Sequence, residues 1–144
     1  MLVLVLAGCG GGGSKPLTKA QYEQRLQADG KAAQRATAGI SPNRRPLALA
    51  KSLAQAQAAL RRAADDLDSL RPPADAVRDN VRIARGLRAL ATMFEPVRRK
   101  LAAGKPINLA REFTKLREPQ AVHDAQLAVN DLQRKGYVVG VFGT

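Results

Sequence analysis

The fold is decided by residues 47–103, LALAKSLAQAQAALRRAADDLDSLRPPADAVRDNVRIARGLRALATMFEPVRRKLAA. Apolar residues recur at alternating steps of four and three on both sides of Pro72-Pro73. On the first side they are Leu49, Leu53, Ala56, Leu60, Ala63, Leu67 and Leu70; on the second, Ala76, Ile83, Leu87, Leu90, Phe94, Val97 and Leu101, with Asn80 at a polar position of the stripe. This spacing keeps one stripe of a helix against a partner. We predict an all-α fold, an antiparallel bundle of three to five helices built on a long helical hairpin with arms at about 47–70 and 74–103.

Local signals predict the remaining helices. Thr18 and Gln21 form a capping box that begins a helix, which ends near Gly39. Pro96 lies inside the second hairpin arm and is expected to kink it near residues 92–95. Two shorter helices are expected around residues 109–116 and 122–132. The apolar segment 137–142 is expected to pack over the end of the bundle, because a free apolar tail promotes aggregation.

Composition limits the classes of function. Apolar residues make up 45% of the 144-residue chain and aromatic residues only 3%, which suits one small helical domain with an alanine-rich core. With one His and no Trp, the chain offers few catalytic side chains, and nothing places a base, a nucleophile and an oxyanion site together. We therefore expect a protein that is not an enzyme and has no cofactor or metal. The net charge of +12 favours anionic partners.

The sharpest functional motif is Leu6-Ala7-Gly8-Cys9 near the N-terminus. It resembles a bacterial lipobox, in which signal peptidase II cuts before the Cys and the thiol carries diacylglycerol. A Gly/Ser run, residues 10–14, follows it, as expected of a flexible tether. Cys9 is thus the predicted lipidation site, and buried acyl methylenes would hold the protein on the membrane.

The residues before Cys9 are shorter than a secretory signal, which needs a basic region and a longer apolar region. We interpret residues 1–8 as a truncated lipoprotein signal peptide whose beginning lies upstream of Met1. Residues 9–17 are then the acylated Cys and its tether, and residues 18–144 a single helical-bundle domain. The alternative is a cytoplasmic protein with a short apolar N-terminal tail.

Three further segments resemble a group of short, uncharacterised lipoproteins of high-GC Gram-positive bacteria. They are LTKAQYEQRLQADG (17–30), AADDLDSLRPPAD (63–75) and DLQRKGYVVGVFG (131–143). The resemblance implies export and anchoring through Cys9. It implies no enzyme activity and no ligand, so no other functional residue follows from it.

Arg78, Arg82 and Arg85 stand at i, i+4 and i+7 and share one face of the second hairpin arm. We regard them as a candidate anion-binding face, because guanidinium groups bind phosphate and carboxylate well. The alternative is an ordinary solvated helix surface. In a hairpin, the acids that flank its turn, such as Asp68 and Asp75, are expected to lie near Arg71, Arg78 and Arg82 and form surface pairs rather than a metal site.

Two polar residues have simpler expected roles. His123 and Asp124 are adjacent on a helix and cannot form a dyad, so His123 is expected to be exposed. Asn80 is expected to be buried and to fix helix pairing, which is a structural role.

Three functions remain open. The leading hypothesis is a lipid-anchored extracytoplasmic helical module, located at the cell membrane through Cys9, that binds an anionic envelope component or a protein partner. The second is a cytoplasmic basic helical protein that binds nucleic acid non-specifically; the absence of a nucleic-acid motif makes this partner the less favoured. The third is a hydrolase of envelope material, for which the sequence supplies no catalytic set.

Overall fold

The computed structural model describes residues 15–41, 44–105 and 107–140, and within them the regular structure is entirely helical. The helices are α1 (Lys19–Ala38), α2 (Pro46–Ser69), α3 (Val77–Met93), α4 (Glu95–Ala102), α5 (Leu109–Lys115) and α6 (Gln120–Arg134). Only Phe94 separates α3 from α4, and together they form the second arm of the predicted hairpin. The described part of the chain therefore has five helical arms. The predicted all-α bundle is confirmed.

The first helix begins as the sequence indicates. The Thr18 side chain accepts a hydrogen bond from the Gln21 N–H at 3.3 Å, and the Gln21 side chain accepts one from the Thr18 N–H at 3.0 Å. The helix ends at Gly39. Both predicted signals are confirmed.

The two hairpin arms are joined by a non-helical segment. Residues 74–76 form a turn in which the Ala76 N–H donates to Pro73 O at 2.9 Å, so α3 begins three residues later than expected. The second arm is interrupted at Phe94, within the expected range, because Pro96 has no N–H for the helix ladder. The buried Gln57 of α2 forms hydrogen bonds on both sides of this interruption. Its Nε2 donates to Ala91 O of α3 at 2.7 Å and to Glu95 Oε2 of α4 at 3.0 Å.

The apolar interior consists of two clusters. The larger joins α1, the second half of α2, α3, α6 and residues 137–139. The smaller joins the start of α2 to α4, and its buried members are Leu49, Ala50, Leu53, Val97 and Leu101. Ile40, Ile107 and Leu109 pack against this smaller cluster.

Asn80 connects three helices inside the larger cluster. Its Oδ1 accepts a hydrogen bond from the Tyr22 hydroxyl of α1 at 3.1 Å, and its Nδ2 donates to Leu67 O of α2 at 2.8 Å. All of these groups are buried, so the bonds specify how α1, α2 and α3 pair. The structural role predicted for Asn80 is confirmed.

Residues 137–140 pack against α1. Tyr137 and Val139 are buried, and the Tyr137 ring stands edge-on to Tyr22 with centroids 5.8 Å apart. The Val138 backbone is held on both sides: its N–H donates to Glu23 Oε1 at 3.0 Å, and its carbonyl accepts from Gln27 Nε2 at 3.2 Å. The predicted packing of this segment is confirmed as far as residue 140; residues 141 and 142 lie outside the described residues.

The bundle has two distinguishable ends. At the tether end, which we define as residues 15–19, 70–76 and 135–140, the Leu17 N–H donates to Arg71 O at 2.7 Å and Lys135 Nζ to Asp75 O at 2.6 Å. At the far end, which we define as residues 38–41, 44–50, 98–105 and 107–112, Ile40 after α1 packs in the same cluster as Leu101 of α4. Among the described helices, none is both long and apolar enough to cross a bilayer.

Candidate functional site

The candidate site is built on the antiparallel packing of α3 against α6. Arg82 of α3 faces Asp131 of α6, whereas Gly86, one turn further along α3, faces Ala125, earlier in α6. A Cβ atom added to Gly86 would lie 2.3 Å from Ala125 Cβ and 2.8 Å from Ala121 O. The absence of a side chain at Gly86 therefore sets how closely the two helices approach.

A cleft between α3 and α6 brings the three predicted arginines together. Arg78, Arg82 and Arg85 line a cavity of about 440 Å³ with Val81, Ala121 and Asp124. We call it the arginine cleft. The three side chains share one site, as their spacing predicted, and α6 supplies the opposite wall.

The charges in the arginine cleft are only partly balanced. Arg82 Nη1 lies 3.8 Å from Asp131 Oδ2, and Asp131 also pairs with Arg134. The Arg134 hydrogen bond, helped by the charges of Lys135 and Arg82, lowers the pKa of the Asp131 carboxyl, which stays ionised. Arg78 and Arg85 are exposed and form no ion pair within the described part of the chain. These two guanidinium groups are thus free to bind an anion.

Asp124 adds one negative charge to the wall of the cleft. Its Oδ1 accepts a hydrogen bond from Gln120 Nε2 at 3.0 Å, one turn earlier in α6. Three guanidinium groups against this carboxylate leave a formal excess of positive charge. Such a surface attracts phosphate- or carboxylate-bearing groups.

The predicted pairing of the acids near the turn with Arg78 and Arg82 is wrong. Asp65 and Asp68 instead bind Arg88, whose Nη2 and Nη1 lie 2.6 Å from Asp65 Oδ1 and Asp68 Oδ2 respectively. The reason is rotational: Arg88 lies roughly 60° around α3 from Arg85, on the side that faces α2 rather than α6.

Two further acids, one in the turn and one in the first turn of α3, bind residues near the end of α6. Asp79, only 2% exposed, accepts from Lys135 Nζ at 2.6 Å, and Asp75 accepts from the Tyr137 hydroxyl at 2.7 Å. Burial, followed by the hydrogen bond to Asp75, raises the pKa of Tyr137 to about 12, so its hydroxyl remains a donor. These contacts hold the tether end together.

A second basic cavity lies at the far end and was not predicted from the sequence. Lys100, Lys105, Arg111 and Lys115 line a space of about 350 Å³ together with Ile107, Asn108 and Glu112. We call it the far-end cavity. Its four cations come from α4, from the segment after it and from α5, so no single helical face reveals them. The only sequence signal is the local excess of Lys and Arg from residue 98 to 117.

Other candidate positions contribute little chemistry. His123 is exposed, as expected. Within the described ranges, no three or more His, Cys, Asp or Glu side chains converge as a metal site would require. Cys9 and the other lipobox residues lie outside the described residues, so the lipidation site stays a prediction.

Comparisons with protein-family models, with curated proteins and with solved structures find no match to this chain.

Proposed function

We propose that the protein is a lipid-anchored, extracytoplasmic helical module that binds an anionic partner at the cell envelope and has no catalytic role. The observation that carries the proposal is the lipobox-like Leu6-Ala7-Gly8-Cys9 followed by the Gly/Ser run of residues 10–14. The net charge of +12 supports an anionic partner.

The position of the tether supports a role close to the membrane. The chain from Cys9 to Thr18 spans at most about 32 Å when fully extended. It enters the bundle beside the turn that precedes α3, where the Leu17 N–H meets Arg71 O. Arg78 lies in the first turn of α3, so the arginine cleft opens near the tether end. An acyl group on Cys9 would keep this cleft near anionic headgroups and their neighbours.

The chemistry of the arginine cleft supports binding rather than catalysis. Its described lining offers guanidinium donors and the Asp124 carboxylate, without a Ser, Cys or His to act as nucleophile or base. Arg78 and Arg85 can hold an anion by charge-assisted hydrogen bonds, and Arg82 is already partly engaged by Asp131. We assign the cleft to an anionic group of an envelope component or protein partner.

The anchor is tested by metabolic labelling of the protein, expressed from its own locus, with a palmitate probe. Wild type should carry label and sediment with membranes, whereas the Cys9→Ala variant should lose the label. A soluble, unlabelled wild type that binds nucleic acid with a steep salt dependence would instead establish the cytoplasmic alternative.

The cleft is tested separately on the unacylated Cys9→Ala protein with vesicles of anionic lipid. If the cleft binds headgroups, association at low salt should fall when Arg78→Gln and Arg85→Gln are added. A Lys31→Gln and Arg61→Gln variant is the matched control, because it removes the same number of charges outside the cleft. An equal loss of vesicle association in both variants would show that binding depends on overall charge and not on the cleft.

A further inference from the structure

The positive charge of the molecule is concentrated away from the tether end. Residues 39–58 and 92–118 include the start of α2, α4 and α5, and together contain ten Lys or Arg and three Asp or Glu. This third of the chain carries a net charge of +7 out of +12. Charge concentrated on one end of a molecule raises the local concentration of anions there.

The far-end cavity is the focus of this charge. Lys100 Nζ and Lys115 Nζ lie 2.5 and 3.1 Å from the two oxygens of Glu112, so these two lysines share a single carboxylate. Their hydrogen bonds, Lys100 first, lower the pKa of Glu112 and keep it ionised. Lys105 and Arg111 are exposed and form no ion pair in the described ranges. Four cations against one carboxylate leave a formal charge of +3 around one cavity.

The lining is held in place on the apolar interior. Ile107 packs against the smaller cluster, and Asn108 Oδ1 accepts a hydrogen bond from the Arg111 N–H at 3.0 Å, which fixes the start of α5. The Lys100–Glu112 pair ties α5 to α4. The backbone of Arg111 is therefore held at the start of α5, and that of Lys105 by its N–H bond to Lys100 O at 3.4 Å.

We propose that the far-end cavity binds a segment of a linear polymer that carries closely spaced phosphate groups. A single carboxylate would leave about +2 of the +3 charge unmatched and a single phosphate dianion about +1, whereas successive phosphates can meet Arg111 and the lysines in turn. The cavity provides about 350 Å³ for such a segment. Arg44, Arg45 and Lys51 stand near the start of α2, whose apolar residues pack in the same smaller cluster as Ile107.

Distance from the tether separates this ligand from the bilayer. Val77, at the tether end of α3, and Lys100 are separated by roughly 35 Å of nearly continuous helix at the usual rise per residue. In an anchored protein, the far end is thus the part that can reach furthest from the membrane. That the ligand is a polymer outside the membrane, and not a lipid headgroup, rests on the proposed function. The phosphate site itself does not depend on that proposal.

The test is calorimetric titration of the folded, full-length Cys9→Ala protein with inorganic tripolyphosphate at low salt. Lys105→Glu with Arg111→Glu should weaken binding about tenfold or more, the equivalent of losing charged hydrogen bonds. Lys31→Glu with Arg61→Glu changes the net charge equally, outside the cavity, and should weaken it less than about threefold, as expected for general screening. Circular dichroism confirms that each variant is folded. If the variant with Lys105→Glu and Arg111→Glu does not fold, the milder pair Lys105→Gln and Arg111→Gln takes its place.

Equal weakening in both double variants would overturn the proposal, as would undetectable binding of tripolyphosphate by a folded protein. Tighter binding of duplex DNA than of tripolyphosphate, equally sensitive to both variants, would also overturn it in favour of non-specific nucleic-acid binding. Because acyl labelling of Cys9 is measured independently, failure of the phosphate site leaves the anchoring result standing, and loss of the anchor leaves the titration interpretable.

Discussion

Replacing Gly86 with Ala tests the close contact between α3 and α6. In a helix with open space, Gly→Ala stabilises by about 1 kcal/mol, because Ala has the better helix propensity. Here the new Cβ atom would sit 2.3 Å from Ala125 Cβ and 2.8 Å from Ala121 O, so α3 and α6 must separate. Overpacking of this kind typically costs about 1–3 kcal/mol, and this contact falls at the upper limit because neither neighbour can rotate away. We expect a net destabilisation of about 1–2 kcal/mol.

The assay is urea unfolding followed by far-ultraviolet circular dichroism. Ala125→Gly in the Gly86→Ala background is the internal control, since it removes the closest of the clashing atoms. The free energy of unfolding of the double variant should exceed, by about 1–2 kcal/mol, the value obtained by adding the effects of the two single changes. If Gly86→Ala alone raises the free energy of unfolding, helix propensity dominates and the close approach of α3 and α6 is not what constrains this position.

Three further perturbations address two buried polar groups and one half-buried carboxyl. Asn80→Leu should lower the free energy of unfolding by about 2–3 kcal/mol, because Leu67 O and the Tyr22 hydroxyl lose their partner; a midpoint in urea close to wild type would contradict this. Gln57→Leu should lower the free energy of unfolding by about 2 kcal/mol and speed backbone hydrogen exchange around the interruption between α3 and α4. An unchanged exchange rate would show that the Gln57 side-chain amide is dispensable there. Burial raises the pKa of Asp29 to about 6, helped by the negative charge of Asp66 on α2. The folded state therefore binds the extra proton between about pH 4 and 6, and stability falls as the pH rises through that window. Asp29→Asn should remove this fall and be more stable than wild type at neutral pH by about 1 kcal/mol after solvent screening, whereas parallel pH curves for the two proteins would exclude the effect.

The parts of the fold that are encoded locally could be predicted from the sequence. The stripe of apolar residues around Pro72-Pro73 was sufficient for the hairpin, and the Thr18–Gln21 pair for the start of α1. Asn80 could be assigned because a polar residue in an otherwise apolar stripe needs a buried partner. These signals act within one or two helical turns, so one sequence is enough to find them.

The parts that depend on distant segments could not be predicted. Gly86 is a weak helix former in isolation, and its purpose appears only when Ala125 is placed against it. Arg88 follows Arg85 by three residues in the sequence, yet its two carboxylate partners lie on α2. The far-end cavity combines cations from three segments. In each case the sequence contained the residues but not the helix rotations that bring them together.

The hydrogen bond from the Val138 N–H to Glu23 joins residues 115 positions apart in the chain. The Tyr22 ring of α1 packs against Tyr137. Because α1 is synthesised before α6, this face of α1 stays without its final covering until residues 137–139 have been made. Contacts of such long sequence separation carry a loop-closure cost that must be met before they can form. This face of α1 therefore reaches its native burial only after the segment that follows α6 has been synthesised.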